Sequence, residues 1–331
     1  MRPFTFAQAN DVETAVQELT SHQNSKFIAG GTNLLDLMKI DVMHPEHLVD
    51  ITHIALKSIE DTEEGGLRLG ALATNADTAY NEQVEKRYPL LSHAILAGAT
   101  GQLRNMATNG GNMLQRTRCY YFYDTDTPCN KREPGSGCSA INGYNRDLAI
   151  LGTSEYCIAT YPSDMAVALA ALQATINVTG KDGERTIPMG DFHRLPGDTP
   201  HIETNLKEDE IITSIDLPAN GFRSHYTYLK LRDRASYAFA LVSVAAALEL
   251  DGDTIRQARI ALGGVAHKPW RIPEAEATLQ GQRATAENFR KVAEAYLEGA
   301  KGYGHNDFKI ELAKRAIVRA LEQAVEMEAK S

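Results

Sequence analysis

The run Lys26-Phe27-Ile28-Ala29-Gly30-Gly31-Thr32-Asn33-Leu34 decides how the chain is read. Residues 26–29 have the texture of a buried strand, and Leu34, Leu35, Leu37 and Met38 suggest a helix beyond it. Paired glycines lie between the two. Bare backbone N–H groups at such a turn can approach a pyrophosphate without the protein carrying net positive charge. Upstream, residues 4–7 read as a short strand, and Asn10-Asp11-Val12-Glu13 as a capping box opening a helix to about Thr20. Downstream, residues 47–51 read as a further strand, so the rhythm predicts a small α/β unit.

A second glycine pair stands in Ala107-Thr108-Asn109-Gly110-Gly111-Asn112. Either pair alone is adequately explained as a tight turn. Two in one α/β region favour a nucleotide cradle. Between them, residues 56–59 and 67–72 bracket Glu64-Gly65-Gly66 as a hairpin, and helices are predicted over 75–87 and 89–98. A helix over 165–172 and strands over 175–178, 185–187 and 211–217 follow. After Asn220-Gly221 the texture changes to three strands (226–230, 238–250, 255–262) and two amphipathic helices (285–299, 307–328), a separate α+β domain.

Composition removes several function classes. The 331 residues carry a net charge of −9 without basic runs, which argues against nucleic acid as a partner. The longest apolar run, residues 239–248, is too short to span a bilayer. The opening Met-Arg-Pro-Phe-Thr-Phe shows no secretory signal, so folding in the cytoplasm is expected. No Walker lysine motif, HExxH or GxSxG elbow occurs, leaving common NTPase and hydrolase chemistries unsupported. Gly135-Ser136-Gly137-Cys138-Ser139-Ala140 matches GxGxxA but follows no strand, so it is not read as a dinucleotide turn. The ten histidines form no metal-like pair and read as surface or core. His267-Lys268-Pro269-Trp270-Arg271 is distinctive and reads as a loop packed on Trp270, with contact to a partner subunit as the alternative.

All four cysteines, Cys119, Cys129, Cys138 and Cys157, fall within 39 residues. The surrounding stretch, about 113–160, is aromatic, basic and turn-rich without helix or strand period, and a loop that long is usually functional. Three readings compete: a [4Fe–4S] cluster on four thiolates, disulfides or zinc, and unpaired thiols. Zinc normally takes a closely spaced pair, whereas the gaps here are 9, 8 and 18 residues. Disulfides fit poorly with a reducing compartment. Arg118, Lys131 and Arg132 could offset the charge of a cluster.

The order of Gly-Gly-Thr-Asn, Gly-Gly-Asn, Pro162-Ser163-Asp164-Met165-Ala166 and Tyr228-Leu229-Lys230 resembles the FAD-binding subunits of the xanthine dehydrogenase (molybdenum hydroxylase) family. The cysteine-bearing insertion is similar to that of 4-hydroxybenzoyl-CoA reductase, and more so to that of the periplasmic aldehyde oxidoreductase type. Arg116-Thr117-Arg118-Cys119-Tyr120-Tyr121-Phe122-Tyr123-Asp124 and Arg232-Asp233-Arg234-Ala235-Ser236-Tyr237-Ala238-Phe239-Ala240 carry this likeness. The resemblance implies an α+β fold. A two-part FAD-binding domain of the vanillyl-alcohol oxidase/p-cresol methylhydroxylase type (1–55 and 56–220) would precede a carbon monoxide dehydrogenase flavoprotein-like domain (221–331).

It further implies that Lys26, Phe27, Ile28, Ala29, Gly30, Gly31, Thr32, Asn33 and Leu34 hold the FAD pyrophosphate and ribityl region. Thr108, Gly110, Gly111 and Asn112 would form the second cradle, and Ile212 would line the adenine side. Asp164 would bond a ribityl or adenosine hydroxyl, and Lys230 would sit by the isoalloxazine edge. The bland alternatives are an N-cap for Asp164 and a solvated strand end for Lys230. Cys119, Cys129, Cys138 and Cys157 would ligate a [4Fe–4S] cluster. The implied partners are a molybdenum-cofactor subunit that oxidises an aldehyde and a [2Fe–2S] subunit. Electrons would leave to an external acceptor, and the complex could be exported on a partner's twin-arginine signal. The rival readings are a scaffold with structural zinc and a free-standing flavin oxidase.

Overall fold

The computed structural model describes residues 1–327. Strands β1 (Thr5–Gln8), β2 (Ser25–Ile28) and β3 (His47–Asp50) form a parallel sheet in the order β1-β3-β2. The helix Val12–Ser21 covers it by burying Ala15, Val16 and Leu19. Asp11, not the predicted Asn10, caps that helix, because its extended backbone lets the carboxylate accept from the Thr14 N–H at 2.7 Å.

A second, antiparallel sheet runs β4-β5-β8-β6-β7, from β4 (Ile59–Asp61), β5 (Leu67–Gly70), β6 (Thr175–Gly180), β7 (Gly183–Pro188) and β8 (Ile211–Leu217). The apolar helices Pro89–Ala97 and Asp164–Ala171 share its core with Leu67, Leu69, Ile176 and Ile215. The single helix predicted over 75–87 is two, Asn75–Ala79 and Glu82–Arg87. The Asn81 side chain accepts from the N–H groups of Gln83 and Val84 and starts a new helix.

The third sheet, β11-β10-β9, contains β9 (Tyr226–Leu231), β10 (Val242–Asp251) and β11 (Thr254–Gly263), all antiparallel. Helices Ala286–Tyr296 and Phe308–Glu326 pack on it. The strand expected from residue 238 begins at Val242, and the predicted helix end at Glu328 lies outside the described residues. Strands and helices thus segregate as the α+β expectation requires.

The cysteine segment has little regular structure beyond the turn of helix Tyr120–Tyr123. It builds a small core of its own, in which Phe122 and Ile158 pack with the four cysteines and with Leu37 and Val42 from the first α/β unit. Its backbone also bonds to the third sheet's exit loop, Ile150 N–H to Val265 O at 2.9 Å and Tyr161 N–H to Ala266 O at 3.0 Å. A loop held on both sides in this way is a rigid element. Among the described residues no helix is long and apolar enough to cross a membrane.

Candidate functional site

β2 ends at Ile28, and the chain turns through Gly30 and Gly31 into the helix Leu34–Lys39. Gly31 has φ +70°, which side-chain-bearing residues adopt only with strain. At Gly30 a Cβ would collide with the Met106 carbonyl oxygen, so the first glycine pair lies directly against the residues leading into the second. There Thr108 caps the turn Asn109–Met113, its hydroxyl accepting from the Gly111 N–H. Asn109 is buried and donates to Gly70 O at 3.1 Å and Thr78 Oγ1 at 2.9 Å, which fixes the turn beneath the cleft.

The two segments line one cleft of about 480 Å³. Lys26 through Leu34, Thr108, Gly110, Gly111 and Ile212 all border it. No carbonyl among the described residues accepts a backbone bond from the N–H of Gly31, Thr32 or Asn33, and the buried Asn33 Nδ2 has no partner. The unpaired backbone N–H groups of residues that border the cleft suit the oxygens of a pyrophosphate. Asn112 does not border the cleft: its amide donates to Asn75 Oδ1 at 2.7 Å and accepts from Ser163.

Asp164 lies elsewhere, in a cavity of about 360 Å³ with Arg118, Tyr161, Phe239 and Gly263. Ser163, not Asp164, caps the helix there, accepting from Ala166 N. Lys230 is buried, not solvated, with its ammonium on the Asp164 carboxylate.

Cys119, Cys129, Cys138 and Cys157 line a single buried cavity, and none is in a disulfide. Burial pushes the Cys119 thiol up to about 12. Cys157 is also pushed up, first by its hydrogen bond with the Cys138 thiol and then by burial. Such thiols release their protons when a metal supplies the compensating charge. Among the described residues only Glu18, His22 and His47 bring three or more ligand atoms within 4.8 Å of one another, while of the four thiols Cys138 and Cys157 share a hydrogen bond. Four thiols on one cavity are a donor set that a [4Fe–4S] cluster takes, as zinc also does. The Glu18 group is a poor site itself, since its imidazoles stack 3.9 Å apart at 13° and one ion cannot lie in both ring planes.

Of the three cations expected to offset a cluster's charge, only Lys131 lines the cavity. Arg132 is committed to the carbonyls of Tyr121 and Phe122, at 2.8 and 2.9 Å, and Arg118 to the Tyr123 hydroxyl and the Phe239 ring. Lys131 instead pairs at 2.9 Å with Glu203, which also receives Arg116 at 3.1 Å. Arg116 and Glu203 border the glycine cleft, and the Arg116 N–H donates to Asn33 Oδ1 at 3.2 Å. The Arg116–Glu203–Lys131 bridge therefore joins cleft and thiol cavity. Glu203, in a polar stretch without periodicity, had no local signal to mark it. His193 and His267, read as ordinary core or surface, are buried beside this bridge, and burial pushes His193 down to about 4.

Residues 2–220 match the FAD binding domain in molybdopterin dehydrogenase, and residues 226–324 the CO dehydrogenase flavoprotein C-terminal domain. The chain is 51% identical to the aldehyde oxidoreductase FAD-binding subunit PaoB of Escherichia coli over 98% of this chain and 99% of that relative. It is 28% identical to the glyceraldehyde dehydrogenase medium chain of Sulfolobus acidocaldarius over 88% and 85% of the two chains. Among solved structures, carbon monoxide dehydrogenase from Hydrogenophaga pseudoflava superposes with a TM-score of 0.77 at 26% identity, covering 98% of each chain.

Proposed function

Because this chain belongs to the FAD-binding subunits of the molybdopterin dehydrogenase family, we propose that it is the electron-transfer flavoprotein subunit of a molybdenum-containing aldehyde oxidoreductase. FAD is held in the glycine cleft, and one [4Fe–4S] cluster is ligated by Cys119, Cys129, Cys138 and Cys157. The observation that carries this reading is the adjacency of the two sites across the Arg116–Glu203–Lys131 bridge. When bound, the flavin supplies exchange between two-electron and one-electron steps, and the cluster supplies one-electron transfer.

The chain's own residues do the positioning. The backbone N–H groups of Gly31, Thr32 and Asn33 bind the pyrophosphate, with Thr108 and Gly111 closing the far wall. Ile212 packs on the adenine side. Asp164 and Lys230 serve the flavin end as a preformed ion pair, and Asn112 holds the second cradle through Asn75 and Ser163. The buried loop core keeps water from the thiols. By the family resemblance carried by its motifs, the chain works with a molybdenum-cofactor catalytic subunit and a [2Fe–2S] subunit in a heterotrimer that reduces an external acceptor. Export of that complex would rely on a partner's signal. Along this chain, residues 1–55, 56–220 and 221–331 are the two FAD-binding subdomains and the C-terminal domain.

Cofactor analysis of the purified chain tests this. One FAD and about four iron atoms per chain are expected. Cys129→Ser should lose the iron and keep most of the FAD, because the glycine cradles lie outside the loop. Iron content unaffected by Cys129→Ser, or colourless protein containing zinc, would overturn the cluster. Aldehyde turnover by the isolated chain would favour a free-standing flavin oxidase.

A further inference from the structure

The four-thiol cavity is not electrostatically symmetrical. His267 Nε2 stands 3.3 Å from the Cys157 sulfur, and the ring is buried. Its Nδ1 has no hydrogen-bond partner. A metal-bound thiolate has no proton to give, so in the loaded centre the imidazole donates, which assigns the ring proton to Nε2. Lys131, its side chain 5% exposed, borders the same cavity and is anchored by Glu203 and by Pro200 O at 2.9 Å. Arg132 is committed to the Tyr121 and Phe122 carbonyls, and Arg118 to the Tyr123 hydroxyl.

We propose that His267, through its N–H···S bond to Cys157, and Lys131, through its buried charge, bias the four-thiol centre toward its reduced state. This rests on the cluster reading above. Reduction adds negative charge to the sulfurs, so an N–H donor and a nearby cation both interact more strongly with the reduced form and raise the potential. His267 is a positioning and tuning residue. It touches the Cys157 ligand and no substrate.

The test is an EPR-monitored redox titration of the purified complex, with the signal of interest identified as the one absent from Cys129→Ser. His267→Phe should retain its iron and show about a tenfold lower reduced-to-oxidised ratio at fixed potential, which is about 59 mV for one electron. His267→Gln, whose amide can still donate, should recover most of the shift, a rescue that a merely space-filling role would not produce. Lys131→Met should move the potential in the same direction. Full iron with an unmoved potential in His267→Phe, or Gln behaving like Phe, overturns the proposal. Should His267→Phe lose iron, an unmoved potential in Lys131→Met overturns it instead. A wild-type complex lacking the Cys129-dependent signal would defeat the cluster reading itself, an outcome distinct from these.

Discussion

The ammonium of Lys230, on β9, stands 2.7 Å from the carboxylate of Asp164, in the first turn of the helix Asp164–Ala171. The Tyr228 hydroxyl donates to the other carboxylate oxygen at 2.6 Å, and Lys230 also donates to Ala97 O at 3.1 Å. Burial first, and then the Asp164 charge, hold the Tyr228 hydroxyl well above its ordinary range, so it stays a donor. The pair ties β9, the helix Asp164–Ala171 and the end of the helix Pro89–Ala97 into one buried junction.

Removing one partner should therefore cost more than removing both. Lys230→Met leaves a buried carboxylate uncompensated and should destabilise the chain by about 3 kcal/mol in urea unfolding. The double variant Lys230→Met/Asp164→Leu should recover much of that loss. A single-variant loss below about 1 kcal/mol would mean that water screens the pair.

The glycines separate folding from cofactor binding. Gly30→Ala would force a methyl group into the Met106 carbonyl and should lower the thermal midpoint. At Gly111 a Cβ would meet only Thr108 Oγ1, at 3.0 Å, so Gly111→Asp should keep the fold. It should nonetheless lose FAD, since its carboxylate would face the pyrophosphate. Retained flavin absorbance in Gly111→Asp would remove this segment from the cofactor site.

Acid should act at Glu203. Burial pushes its carboxyl up, but the charges of Lys131 and Arg116 outweigh that and hold it below the ordinary range. A carboxylate depressed in the folded state contributes stability that is complete above about pH 4.3 and is lost as pH falls through the folded value. Glu203→Gln should flatten that acid limb. It should also weaken the chain at neutral pH by leaving Lys131 buried without its counter-ion.

His193 should act at milder acidity. Burial lowers it to about 4, while the unfolded chain binds its proton near about 6.5. The unfolded state thus holds more protons in that window, so stability is full above it and falls as pH drops toward 4, by roughly 3 kcal/mol if the site stays buried. His193→Gln, keeping a donor for Met113 O, should remove this slope from pH-dependent unfolding curves.

Much of this was legible beforehand. β8 coincides with its predicted span because it opens on the apolar pair Ile211-Ile212, and Ile215 and Leu217 then alternate with Ser214 and Asp216 up to Pro218. The glycine turns declared themselves through composition. The start of β10 was misread because residues 238–241 are as apolar as the strand they precede, yet serve the wall of the Asp164 cavity. His267 was read only as part of a loop packed on Trp270, because a lone histidine has no period and its partner Cys157 lies 110 positions away.

By itself the sequence determined most of the longer helices and strands, the glycine turns and the cysteine-rich loop, since periodicity, turn chemistry and capping act over a few residues. Only the tertiary structure decided that Gly30 abuts Met106, that Glu203 links Arg116 to Lys131, and that Asp164 pairs with Lys230. Those partners are brought together by packing across 66 to 87 positions of chain, and a buried charge takes whichever opposite charge the packed core leaves within reach.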